Sequence, residues 1–208
     1  ALVTLARHLH ERELPVPGVF GATRLADTFA AAWAMIEGRA VRAEAGHGRE
    51  QNLYQVVMVK PPANVPGAMR AARAEERDLL VRWETGFAKD ADLPATERDP
   101  AVIARLVDDG LAGGAFFLWE ADGKPVSSAR LRPIGGDGVR VSGVYTPPDQ
   151  RGRGFAAALT AAVSQRSLDG GGFCCLHADA ANALTNRLYK RIGYVKLATY
   201  ADIVFSGG

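Results

Sequence analysis

The chain has 208 residues, enough for one large or two small domains, and 48% are hydrophobic without any run of about 18 that could span a bilayer. A net charge of +2 provides no broad basic field, so neither a membrane nor nucleic acid is an expected partner. Ala1 to His10 is a short amphipathic run without an A-x-A cleavage pattern, and the two cysteines, Cys174 and Cys175, are adjacent on opposite faces of a predicted strand, so a reducing cytoplasm is the expected setting.

Two Pro/Gly punctuations divide the chain, Leu14 to Gly18 and Lys60 to Gly67. Between them Leu25, Phe29, Trp33 and Ile36 form an apolar stripe at helical spacing, with Thr23 as N-cap and Gly38 as C′ residue. Val41 to Glu44 and Leu53 to Val59 read as strands around a Gly46-His47-Gly48 turn. One helix and one hairpin are too little to bury a core alone. Residues 1–62 are therefore expected to be a small N-terminal α/β subdomain packed on a domain spanning 66–208.

After Gly67 a short strand, Ala68 to Ala72, precedes a helix to about Phe87 with Leu79, Leu80, Trp83 and Phe87 on its core side. Asp99-Pro100 opens the next helix, aspartate as cap and proline in the first position, with Ile103, Leu106 and Val107 inward and a stop at Gly110. Ala115 to Glu120, Val126 to Arg132 and Val139 to Thr146 read as an antiparallel meander joined at Asp122-Gly123 and at Gly135 to Gly138. The last of these, a helix from Phe155 and a strand Phe173 to Ala178 form a β-α-β crossover with parallel strands. His8, His10, His47 and His177 show no metal-ligand spacing, and no metal is expected.

The most informative stretch runs from Val141 to Ala156. A β-prone run ends at Pro147-Pro148, a Gln-Arg-Gly-Arg-Gly turn follows, and an alanine-rich helix begins at about Phe155. A helix N-terminus leaves backbone N–H groups without intrahelical partners and carries roughly half a positive charge. With Arg151 and Arg153 beside it, and with glycines that let a ligand approach the backbone, this is a phosphate site. It lacks a Gly-Lys-Ser/Thr ending and a G-x-G-x-x-G pattern, so neither a Walker loop nor a dinucleotide fingerprint accounts for it.

Arg151-x-x-Gly154-x-Ala156 resembles the coenzyme A pyrophosphate loop of the GNAT superfamily of N-acetyltransferases. Asn182 to Tyr194 resembles a second signature of that superfamily, Asn-x-x-Ala-x-x-Leu-Tyr-x-x-x-Gly-Phe/Tyr, with Thr185 where alanine is usual. Val144-Tyr145-Thr146-Pro147-Pro148 resembles the glycine N-acyltransferase-like branch. The resemblance implies a mixed, mostly antiparallel sheet flanked by helices, with splayed central parallel strands, and makes residues 1–62 a degenerate half of the same kind. It further implies acetyl-CoA as co-substrate, held by Val144, Tyr145, Thr146, the loop Arg151, Gly152, Arg153, Gly154, Phe155 and Ala156, and by Asn182, Asn186 and Tyr189.

Asn182, Asn186 and Tyr189 fall on one helical stripe, suited to a ligand that offers amides, with Leu184, Leu188 and Ile192 on roughly the opposite, core-facing side. Asn182 also suits an N-cap and Gly193 a C′ position. Acyl transfer from a thioester to an amine needs donors for the acyl oxygen, a neutral amine and a proton for the thiolate. The resemblance gives the first task to backbone N–H groups near Val144 and the last to Tyr189. The base is open: the strand from Val139 to Thr146 holds no carboxylate or histidine, Asp179, Glu120 and His177 are the candidates, and a water, or no base at all for an amine of low pKa, are the alternatives. Each has a structural alternative, in a turn for Asp179 and Glu120 and in the core for His177. The expected function is acetyl transfer to a small-molecule amine by a monomer or homodimer. A protein or peptide acyltransferase and a non-catalytic acyl-CoA sensor are the alternatives.

Overall fold

The computed structural model describes residues 1–38 and 50–205, so the expected strand Val41 to Glu44 and its Gly46-His47-Gly48 turn lie outside the described residues. In chain order the elements are α1 (Leu2–Glu11), β1 (Gly18–Ala22), α2 (Thr23–Glu37), β2 (Gln51–Val56), β3 (Ala68–Ala71), α3 (Arg77–Asp90) and α4 (Pro100–Ala112). Then come β4 (Phe116–Ala121), β5 (Lys124–Pro133), β6 (Gly138–Tyr145), α5 (Phe155–Asp169), β7 (Phe173–Asp179), α6 (Ala183–Arg191) and β8 (Tyr194–Val204). The strands form a mixed, mostly antiparallel sheet in the order β1-β8-β2-β7-β6-β5-β4-β3. Two compact units make up the chain: Ala1–Leu53 with Ala178–Asn186 and Lys196–Gly208, and Tyr54–His177 with Arg187–Val195.

In the first unit α1 packs on α2 around Ala6, Phe29, Ala32 and Trp33. The rings of Phe29, Trp33 and Phe205 stack on one another with centroids 6.1 to 6.4 Å apart. The expected stripe holds at Phe29 and Trp33 but not at Leu25, which is exposed; Ala26, one residue on, takes the inward place against Ala201 and Ile203. Thr23 is the first helical residue and not the cap, a position filled by Ala22 without a side-chain bond. Gly38 ends α2 in the left-handed conformation, as expected. Strand β1 was hidden by the Pro/Gly punctuation before it. Its pairing with β8, from Gly18↔Val204 to Ala22↔Tyr200, comes from tertiary contact and not from local propensity.

In the second unit β3, β4, β5 and β6 pair antiparallel in succession. Asp122 and Gly123 both have positive φ, the geometry of a tight two-residue hairpin. Leu80 and Trp83 of α3 and Val107 of α4 cover one face of the sheet at Phe116 and Leu118. Helix α5 packs across β4, β5 and β6 and buries Phe155, Leu159 and Val163. The Asp99 carboxylate caps α4, accepting the Ala101 N–H at 2.7 Å, with Pro100 in the first turn. Helix α4 runs past the expected stop at Gly110, because the missing Cβ there leaves room for the Phe116 ring. Strand β2 ends at Val56, earlier than expected, and Val57 and Met58 are exposed.

One residue interrupts the apolar packing of α3. Glu84 is 6% exposed, and burial pushes its carboxyl up to about 7 against a partial opposing pull from Arg130. A carboxyl with a raised folded pKa holds its proton more tightly than in the unfolded chain. Its contribution to stability is therefore complete below its ordinary value of 4.5 and is lost as pH rises through about 7. Glu84→Gln is expected to gain stability on the wild type between about pH 5 and about pH 8, by up to roughly 3 kcal/mol. Urea unfolding of both proteins across that range checks this; a difference that does not change with pH refutes it.

Candidate active site

The Arg151–Ala156 loop is built by strand, turn and helix. After β6, Pro147 and Pro148 end the extended chain, a single helical turn follows, and α5 begins at Phe155. Gly152 and Gly154 have φ of +79° and +84°, values a side chain disfavours. Gly154 occupies the cap position, where no side chain meets the helix, so the first N–H groups of α5 have no intrahelical or capping partner. A Cβ on Gly154 would also lie 3.0 Å from Val65 Cγ2.

The two loop arginines have different environments. Arg151 is drawn back onto the protein: its Nε donates to the Thr146 carbonyl at 2.9 Å, its Nη2 meets the Asp90 carboxylate, and its guanidinium lies 5.8 Å from the Tyr145 ring centroid. Arg153 donates to the neutral Gln150 Oε1 at 2.8 Å and stacks 4.7 Å over the buried Phe155 ring. Its positive charge is thereby oriented without being neutralised, beside the N-terminus of α5.

Strand β6 carries a bulge. Ser142 faces Arg130 and Tyr145 faces Ser128, so Gly143 and Val144 together oppose Ala129. Gly143 supplies the φ of +57° that the bulge requires. The parallel ladder with β7 runs from Gly138↔Phe173 to Val141↔Leu176, while β6 itself continues to Tyr145. Beyond the bulge the chain is fixed by Ser127, whose hydroxyl donates to the Tyr145 carbonyl at 2.8 Å and accepts from Thr146 Oγ1 at 2.9 Å.

Glu84 lies against this bulge: a Cβ on residue 143 would sit 2.7 Å from its Oε1. The sequence does contain a signal for it. Glu84 is four residues after Leu80 and one after Trp83, an inward position on an amphipathic helix where a carboxylate breaks the pattern.

Tyr189 is 9% exposed, between the rings of Tyr54 at 6.3 Å and Tyr194 at 6.0 Å. Burial pushes its phenol up to about 12, so it carries a proton at neutral pH. The expected orientation of α6 is corrected in part: Asn186 and Tyr189 are buried whereas Asn182 and Leu184 are exposed, and Ile192, just past the helix, is buried as expected. The amides also have partners within the first unit. Asn182 Oδ1 accepts the Thr185 N–H at 3.1 Å, the expected cap. Asn186 Nδ2 donates to the carbonyls of Asp179 and Asn182, both at 2.7 Å, and its Oδ1 accepts from Asn52 Nδ2 at 2.9 Å.

The three base candidates of the sequence have structural positions. Asp179 Oδ1 accepts the Ala181 N–H at 2.8 Å and shapes the turn before α6. Glu120 accepts at 2.6 Å from Arg70 Nε, and Arg70 Nη2 donates to Glu76. His177 is half-buried, and burial followed by the nearby Arg140 charge lowers its pKa.

The candidate residues thus include an uncapped helix end, a bulged strand with a buried carboxyl against it, and a buried phenol among tyrosine rings. The acetyltransferase (GNAT) family model matches residues 77–194. No curated relative matches the chain. Among solved structures, a GNAT-family acetyltransferase from Colwellia psychrerythraea shares 13% identity at a TM-score of 0.68, over 99% of this chain and 71% of that one. A GCN5-related N-acetyltransferase from Kribbella flavida shares 22% identity at 0.58, over 100% and 75%. The PaiA N-acetyltransferase of Thermoplasma acidophilum, in complex with coenzyme A, shares 12% at 0.51, over 66% and 98%. With more than half of its length matched by the family model, the chain belongs to the acetyltransferase (GNAT) family.

Proposed function

We propose that the protein transfers the acetyl group of acetyl-CoA to the primary amine of a small molecule. The observation that carries this reading is the uncapped N-terminus of α5, with Arg153 stacked beside it and the β6 bulge leading into it. The pyrophosphate of coenzyme A suits the N–H groups after Gly154 and the Arg153 charge. The bulge, where Gly143 and Val144 together oppose one residue, supports a role for the Val144 N–H as donor to the acyl oxygen as it gains charge. A coenzyme A complex of a neighbour with the same fold supports the choice of co-substrate. A small acceptor fits best, because the groups around the bulge, Glu84 and Trp83, are buried and Tyr145 is half-buried, out of reach of a folded protein surface.

In this reaction the amine nitrogen attacks the thioester carbon, and the C–S bond breaks as the tetrahedral intermediate collapses. Tyr189 gives its proton to the departing sulfur. A phenol held near 12 keeps that proton until a strongly basic thiolate forms beside it.

Arg153→Ala is expected to weaken acetyl-CoA binding about tenfold to a hundredfold, the loss of one charge-assisted contact. Arg151→Ala should have the smaller effect, since Asp90 already offsets that charge. Titration calorimetry decides, and equal or absent effects in the two variants reject the assignment of the loop. Tyr189→Phe should lower kcat about 10²–10⁴-fold with acetyl-CoA affinity kept, because the packed ring remains. Thiol-release kinetics against a panel of amines measure this, and a wild-type kcat removes Tyr189 as the acid.

A further inference from the structure

We propose that Glu84 of α3 is the general base that takes the proton from the acceptor amine, an inference that rests on the transferase reading above. The first ground is position. Its carboxylate sits against Gly143, one residue from Val144, where the acyl oxygen is to be held. A base there lies beside the carbon that the amine attacks.

The second ground is availability. Glu120 is bound to Arg70, Asp179 accepts the Ala181 N–H and shapes the turn before α6, and His177 is half-buried beside Arg140. Glu84 is instead buried, as are Leu80, Trp83 and Ala88 of α3.

The third ground is electrostatics. Arg130 on β5 is the charge that acts on Glu84, and its own contacts are the Ser142 hydroxyl at 3.4 Å and the Phe116 ring at 5.8 Å. Arg132 and Arg140 act on Arg130 in turn, and from α4 Asp108 is paired with Arg77 at the far end of α3. The carboxyl thus titrates at about 7, where a base is half available and still strong enough to accept a proton from an amine under attack.

The atoms balance. The nitrogen forms its bond to the acetyl carbon and loses a proton to Glu84. The C–S electron pair goes to sulfur, which takes a proton from Tyr189. Solvent then removes the proton from Glu84 and restores that of Tyr189. The net result is one amide and one free thiol, with no further reactant.

The test is the pH dependence of kcat/KM in thiol-release assays. Wild type, Glu84→Gln and Glu84→Asp are assayed with acetyl-CoA and a panel of amino acids, polyamines, aromatic amines and lysine peptides. The wild type is expected to show a rising limb near pH 7. Glu84→Gln should lose that limb and about 10²–10⁴-fold in kcat at neutral pH, with calorimetric acetyl-CoA affinity unchanged. Glu84→Asp should recover part of kcat on a displaced limb. A Glu84→Gln protein that keeps the limb near pH 7 overturns the role of Glu84 alone. Should Glu84→Gln fail to fold, an undisplaced limb in Glu84→Asp does the same. A wild type that binds no acetyl-CoA, or turns over no amine, overturns the transferase reading and the base with it.

Discussion

The bulge at Gly143 is the constraint on which the site depends. A regular strand would continue its pairing on both edges and offer no backbone donor to a ligand. Placing two residues of β6 opposite Ala129 breaks the ladder on one side, beyond the point where pairing with β7 runs from Gly138 to Val141. The left-handed φ of Gly143 makes the kink, and the absence of its Cβ makes room for the Glu84 carboxylate. Backbone geometry and side-chain placement are therefore one decision. Any side chain at 143 strains the bulge and displaces the carboxyl together.

The same economy governs the loop that follows. Helix α5 begins at a glycine and has no side-chain cap, although a capped end is worth about 1 kcal/mol. An uncapped end inside a well-packed unit is a cost that an anion bound there would offset. The arginines divide the work. Arg151 joins the carbonyl of Thr146 to Asp90 at the end of α3 and so fixes where the loop leaves β6. Arg153, stacked on a ring that is itself buried, keeps its charge oriented with little freedom left to lose on binding.

Most of the fold was legible because its signals are local. Asp99-Pro100 names a helix start, Asp122-Gly123 names a hairpin, and the Gly-rich run before Phe155 names a helix end, each through backbone chemistry that neighbours do not override. The errors fall where distant contacts decide. Gly110 read as a helix stop, but the ring of Phe116 needs its missing Cβ. Leu25 read as core, but a turn of one residue places Ala26 inward. Strand β1 has little propensity of its own and exists through β8. Glu84 carries a signal of another kind: a carboxylate at an inward position of an amphipathic helix, which the motifs on β6 and at the strand ends do not report.

The correction on α6 carries a more general point. In the stripe of two amides and a phenol on α6, which looked like a surface made for a ligand, Asn186 and Tyr189 are buried and Asn182 is exposed. Asn186 has two donors and one acceptor, and the carbonyls of Asp179 and Asn182 and the amide of Asn52 match them within the first unit. Buried amides with matched partners stabilise a turn, and removing one would leave the others unsatisfied at about 1–3 kcal/mol each. Motif positions can thus be kept for folding as much as for chemistry. Tyr189, on the same helix, differs in kind: among the described residues its neighbours include the rings of Tyr54 and Tyr194, and burial holds the proton on its phenol at neutral pH.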